Sequence, residues 1–155
     1  MFIRTIVIGT LVAGSLDIAS AILLTLIDGR SVVRMLQAVA SGPFGDAPFS
    51  WGTAGAATGL AIHFLIMAAM VAAFVQGTRR VPALLSCPFA AGAAYGLLLY
   101  LFMYWLVIPL RWPTERSILD VRSVLIPAGI HITLVGIPIA LVTTRMLPLR
   151  APRAA

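Results

Sequence analysis

Between Gly52 and Gln76 the chain reads GTAGAATGLAIHFLIMAAMVAAFVQ, a run without a single Asp, Glu, Lys or Arg. At about 1.5 Å of rise per residue, a helix of this length covers the roughly 30 Å of hydrocarbon in a bilayer, for which about 20 apolar residues suffice. Three further segments meet the same requirement: Ile3 to Ile27, Leu84 to Leu110 and Val124 to Leu147. The breaks between them carry turn residues or charge, in Asp28-Gly29-Arg30, Gly42-Pro43 with Gly45-Asp46, Gly77-Thr78-Arg79-Arg80 and Arg111-Trp112-Pro113. The expected fold is all-α, an integral membrane four-helix bundle in up-down order with short connections, forming one domain over residues 1–155.

Composition agrees with that reading and excludes a soluble globule. The chain is 61% hydrophobic and 10% charged, against about 45–50% and about 25% in a soluble domain. Too few polar residues remain to cover a surface facing water. The formal charge is +6 and every basic residue is Arg. The arginines are scattered over loops and termini, with no basic stripe interleaved with aromatics, so nucleic acid is not a partner. Anionic lipid headgroups suit this charge better. Cys87 is the single cysteine, which excludes an internal disulfide and leaves no Cys/His metal motif.

Arg4, the apolar run after it and Ala19-Ser20-Ala21 imitate a secretory signal with its cleavage site. The run continues past that site to Ile27, and Asp17 stands where a signal would be uniformly apolar, so the segment is expected to be retained as a span. Four spans put both termini on one side, with Arg4, Arg79, Arg80, Arg145, Arg150 and Arg153. The other side holds Arg30, Arg34, Arg111, Arg116 and Arg122 with Asp28, Asp46, Glu115 and Asp120. Because the positive-inside rule counts basic residues rather than net charge, the first side is expected to be cytoplasmic. Trp51, Trp105 and Trp112 then fall at the opposite interface, as an aromatic belt does.

Ser31 to Ser41 is too short to cross. Val32, Val33, Leu36, Val39 and Ala40 share one helical face, with Arg34, Gln37 and Ser41 elsewhere. The pattern predicts a short interfacial helix between spans one and two, with a re-entrant cap over the bundle as the alternative.

Asp17, His63 and His131 lie well inside apolar spans, where ionisable side chains are costly and face the bundle interior. Counted from the outer ends of their spans, Asp17 lies about 15 Å deep, His63 about 16 Å, His131 about 10 Å and Tyr100 about 15 Å. Gly9, Ala13, Asp17 and Ala21 repeat every four residues, as do Gly55, Gly59 and His63, and Gly92, Gly96, Tyr100 and Tyr104. Small residues in such rows let membrane helices approach closely, which places the polar groups at helix contacts. Pro127 and Pro138 flank His131 and weaken the hydrogen bonding of neighbouring turns.

Four readings of this set stay open. In one, Asp17 pairs with a histidine only to glue helices, interhelical hydrogen bonds being worth about 0.6–2 kcal/mol. The set can instead handle a proton or a polar ligand, with histidines that switch near neutral pH. A haem b could be held axially by His63 and His131. A site of two histidines and one carboxylate could hold a metal ion and serve a metal-dependent membrane enzyme. No phosphate-binding loop, GxGxxG turn or HExxH motif is present, and Ser15, Ser20 and Ser86 have no base at readable spacing. Cys87 beside Pro88 reads as inert packing, and Glu115 with Asp120 as a solvated connector.

Three stretches, Ala13-Gly14-Ser15-Leu16-Asp17-Ile18, Ala40-Ser41-Gly42-Pro43-Phe44-Gly45 and Gly59-Leu60-Ala61-Ile62-His63-Phe64, resemble a family of small bacterial inner-membrane proteins of about this length. Tyr95-Gly96, Val107-Ile108-Pro109-Leu110 and His131 with Val135-Gly136-Ile137-Pro138 extend the likeness over nearly the whole chain. The resemblance implies four spans and a bacterial inner membrane, and supplies neither an activity nor ligand residues. The function expected is that of a non-enzymatic accessory subunit or a small polar-ligand or proton-linked module centred on Asp17, His63, His131 and Tyr100. Its partners are the lipid bilayer and, through small-residue faces around Gly129 and Gly136, a second copy or a larger membrane complex.

Overall fold

The computed structural model describes residues 1–113 and 121–147. Glu115, Arg116 and Asp120 in the connection before the last span, and Arg150 and Arg153 near the C-terminus, lie outside the described residues. The helices are α1 (Phe2–Ile27), α2 (Val32–Phe44), α3 (Thr53–Arg80), α4 (Pro88–Arg111) and α5 (Val121–Met146). All but α2 are long and apolar enough to cross a membrane. Short 3-10 turns occupy Ala47–Ser50 and Pro82–Leu85, and no strand occurs among the described residues.

Local chemistry accounts for the helix ends. The Ser31 hydroxyl accepts from the Arg34 N–H at 3.3 Å and caps α2. Gly45 and Gly52, at φ 63° and 58°, supply the left-handed backbone that turns the chain from α2 into α3. The last turns of α3 run past Gln76 to Arg80. Helix α4 starts later than Leu84, because Pro82–Leu85 closes a 3-10 turn and Pro88 takes a first-turn position where its missing N–H costs nothing.

Helix α1 lies against both α3 and α5, α4 packs on α5, and α2 packs on the first turns of α3. Glycine makes the tightest of these contacts. A Cβ on Gly59 would run into the Leu36 carbonyl, and one on Gly96 into the carbonyl of His131. Ala13, Met67, Val71, Phe74, Val75, Leu99, Val135, Ile139 and Ala140 form the buried core. Leu23, Leu65, Leu98 and Leu110 point outward, the arrangement expected where hydrocarbon is the solvent.

One sequence expectation is corrected, and the contact face of α2 is defined. Gly136 is buried within the chain, its Cα hydrogens facing Gly92 and Gly96 so closely that no side chain fits, so it presents no small-residue face for oligomerisation; open space surrounds the Cβ direction of Gly129. The face that α2 turns inward carries Gln37, Ala40 and Ser41, whereas Val33 is exposed. The cause is the close approach to α3: Gln37 Nε2 donates to the Gly52 carbonyl at 2.8 Å, which rewards a polar residue at the contact.

Helices α4 and α5 each contain a six-residue π segment, Phe102–Val107 and His131–Gly136. Each is followed by Ile-Pro, in Ile108-Pro109 and Ile137-Pro138. A proline inside a helix lacks an N–H and collides with the carbonyl four residues earlier, here Trp105 and Leu134. Widening the turn to π geometry relieves that collision. The loosening expected around His131 therefore occurs on its Pro138 side.

Candidate polar site at the helix contacts

Gly55 and Gly59 of α3 pack on Pro48 and Leu36, while His63, one turn on, reaches α1, which approaches α3 through Gly9 against Val71. Gly14 of α1 completes the approach, since a Cβ there would strike the Phe64 ring. His63 Nε2 lies 3.0 Å from the Gly14 carbonyl oxygen. Its Nδ1 lies 3.9 Å from Asp17 Oδ2, and the side chains of His63 and Asp17 are only 11% and 21% exposed. The pair is thus largely withdrawn from the surface.

This geometry fixes where hydrogens reside. A carbonyl oxygen only accepts, so His63 Nε2 carries a proton and donates it to Gly14. In the neutral ring Nδ1 then offers a lone pair to Asp17. A lone pair facing a carboxylate anion is repulsive, and a proton on either group would turn the contact attractive. The 3.9 Å separation is an ion-pair distance, longer than a direct hydrogen bond.

The second pair lies on α4 and α5. The crossing of Gly92 and Gly96 over Gly136 sets Tyr100 beside His131, with ring centroids 6.2 Å apart. Tyr104, one turn on, meets the same imidazole edge-on at 5.7 Å and 88°. His131 Nδ1 donates to the Pro127 carbonyl at 3.0 Å. Tyr100 is buried, whereas Tyr104 is 38% exposed.

The structure brings Asp17 to His63 and Tyr100 to His131 by direct contact. Two participants were not singled out by sequence. Tyr104 was legible as the fourth member of the row Gly92, Gly96, Tyr100, Tyr104, and only its contact with His131 was missing. The Gly14 carbonyl is a backbone group and leaves no trace in side-chain patterns.

Among the described residues no three His, Cys, Asp or Glu side chains gather as a metal site requires, which corrects the two-histidine, one-carboxylate reading. Nor does the arrangement fit a haem b between the histidines. Axial ligation needs a ring nitrogen of each imidazole aimed at one iron, but His63 has Nε2 on Gly14 and Nδ1 toward Asp17. Ser20 donates to the Asp17 backbone carbonyl at 2.7 Å and faces no base, so nucleophilic chemistry gains no support. No protein-family model, no curated protein and no solved structure matches this chain.

Proposed function

We propose that the chain is a non-enzymatic, multi-pass protein of a bacterial inner membrane that acts as a proton-linked accessory or polar-ligand module. In this reading the four long helices stand in up-down order with both termini cytoplasmic, and α2 lies at the outer interface. Asp17 is the proton acceptor, His63 the partner that shares its proton, and His131 with Tyr100 the neighbouring pair that senses the charge. The single observation that carries the reading is the disposition of His63, with one nitrogen committed to Gly14 and the other turned to Asp17. An ionisable pair set at a helix contact of a membrane span is costly to keep, and here the Nδ1 of His63 is left to face the carboxylate.

Infrared spectroscopy of the protein in lipid bilayers tests it. The carboxylic-acid carbonyl band should grow as pH falls, vanish in Asp17→Asn and change its midpoint in His63→Gln. A band that is independent of pH, or that survives Asp17→Asn unchanged, would refute proton exchange at Asp17 and leave the pair a structural contact.

A further inference from the structure

Helices α3 and α4 are joined by a short connection, yet they part from each other, and a groove opens between them. Its walls are Ala73, Phe74 and Gly77 of α3 and Ala91, Ala94, Tyr95 and Leu98 of α4, with Leu84 of the connection below. The two helices touch across its inner edge, where the Tyr95 hydroxyl donates to the Met70 carbonyl at 2.7 Å and the Tyr95 ring leans on Phe74 at 5.0 Å. These contacts back the groove without filling it. The cavity measures ≈ 270 Å³, or ≈ 560 Å³ with the open space beside it included.

Three features select an occupant. The first is length: the α4 residues that line the groove, Ala91 to Leu98, rise about 10.5 Å, which fits within one leaflet of the roughly 30 Å hydrocarbon. The second is width. Spread over that length, even the larger volume leaves a cross-section of roughly 53 Å², below the about 80 Å² that a helix with its side chains fills. A hydrocarbon chain enters such a slot and a helix does not. The third is charge at the mouth. Arg80 follows Ala73 and Gly77 at helical spacing on the same face, and it has no hydrogen-bond or ion-pair partner among the described residues. Arg79 beside it stacks on Phe2 at 5.0 Å and donates to Gln76 at 3.0 Å, which holds a second cation at the same level. A basic pair at the headgroup level attracts anionic lipid.

We propose that the α3–α4 groove is a binding site for one anionic phospholipid, with an acyl chain between Ala73, Gly77, Ala91 and Ala94 and the phosphate on Arg80. The site is separate from Asp17 and His63 and does not depend on their protonation.

Native mass spectrometry in mild detergent, with phosphatidylglycerol and phosphatidylcholine added in equal amounts, tests the assignment. The protein should retain one phosphatidylglycerol per chain in at least tenfold excess over phosphatidylcholine. Ala94→Leu, which fills the slot, should reduce retention of both lipids about tenfold. Arg80→Gln should keep the chain bound but erase the preference. Leu97→Ala, on an outward position of α4, should change nothing, and monomeric mass with unaltered helical circular dichroism shows that each variant is folded. Equal retention of the two lipids by the unaltered protein, retention indifferent to Ala94→Leu, or a second copy of the chain in place of lipid would overturn the proposal.

Discussion

Across the contact between α1 and α3, Nδ1 of His63 faces the Asp17 carboxylate at 3.9 Å, while the other ring nitrogen is tied to the Gly14 carbonyl at 3.0 Å. One side chain thus joins two helices by its Nε2 and turns its Nδ1 to the carboxylate, where the proposed proton sharing takes place. The two roles separate under mutation, because a substitution at Asp17 leaves the bond to Gly14 in place.

Asp17→Asn should accordingly lower the unfolding free energy in bicelles by less than about 1 kcal/mol, whereas His63→Ala should lower it by about 1–2 kcal/mol, the range of interhelical hydrogen bonds in bilayers. Steric-trapping measurements on the two variants provide the check. Equal losses from both would mean that the pair serves only to hold α1 and α3 together.

At the α4–α5 crossing, Gly96→Ala places a methyl group against the backbone of His131 and Ile132. Backbone cannot swing aside as a side chain does, so the helices must part, at a cost of about 3 kcal/mol or more. Gly129→Ala on the same pair of helices meets nothing within 4 Å and should stay within about 0.5 kcal/mol of the parent. Thermal unfolding in one detergent compares them directly.

Arg111, at the end of α4, donates Nε to the Gly42 carbonyl at 2.7 Å and a terminal nitrogen to the Ser41 carbonyl at 2.8 Å. A guanidinium at the last turn of α2 satisfies open carbonyls and opposes the helix dipole. Arg111→Gln should raise amide hydrogen exchange in the last turn of α2 and cost about 1 kcal/mol, the lower end for charged hydrogen bonds because the group is exposed. Arg111→Lys should recover only part, since an ammonium cannot form the fork. Unchanged exchange would show that α2 is held by its contact with α3 alone.

Cys87 is exposed in the short connection between α3 and α4 and is the chain's single cysteine. With the termini cytoplasmic, a membrane-impermeant maleimide should label it in inverted vesicles and leave it unmodified in intact spheroplasts. The reverse pattern would invert the topology.

The long helices were legible because an apolar run of this length has few other outcomes; their ends differ by up to four residues, as where α3 runs on to Arg80 and where Pro82 and Pro88 delay the start of α4. The π segments were not legible. Pro109 and Pro138 mark a collision with Trp105 and Leu134, but whether a helix kinks, breaks or widens depends on the neighbour it packs against. The face by which α2 meets α3 was not legible either: Gly55 and Gly59 bring the backbones so close that Gln37 gains a bond to Gly52, which periodicity does not encode. At the polar site, four-residue spacing placed Asp17, His63 and Tyr100 at helix contacts. Which atoms meet was set by the rotations of α1 and α3 and by the Gly14 carbonyl, neither of which a side-chain pattern encodes.

The most direct test of proton sharing is ¹⁵N solid-state NMR of histidine-labelled protein in bilayers, read across a pH titration with His131→Gln used to assign the His63 resonances. The account predicts that Nε2 of His63 stays protonated throughout, while Nδ1 changes with pH and shifts in Asp17→Asn. A bare Nε2 with a protonated Nδ1, or a His63 spectrum indifferent to Asp17→Asn, would contradict it.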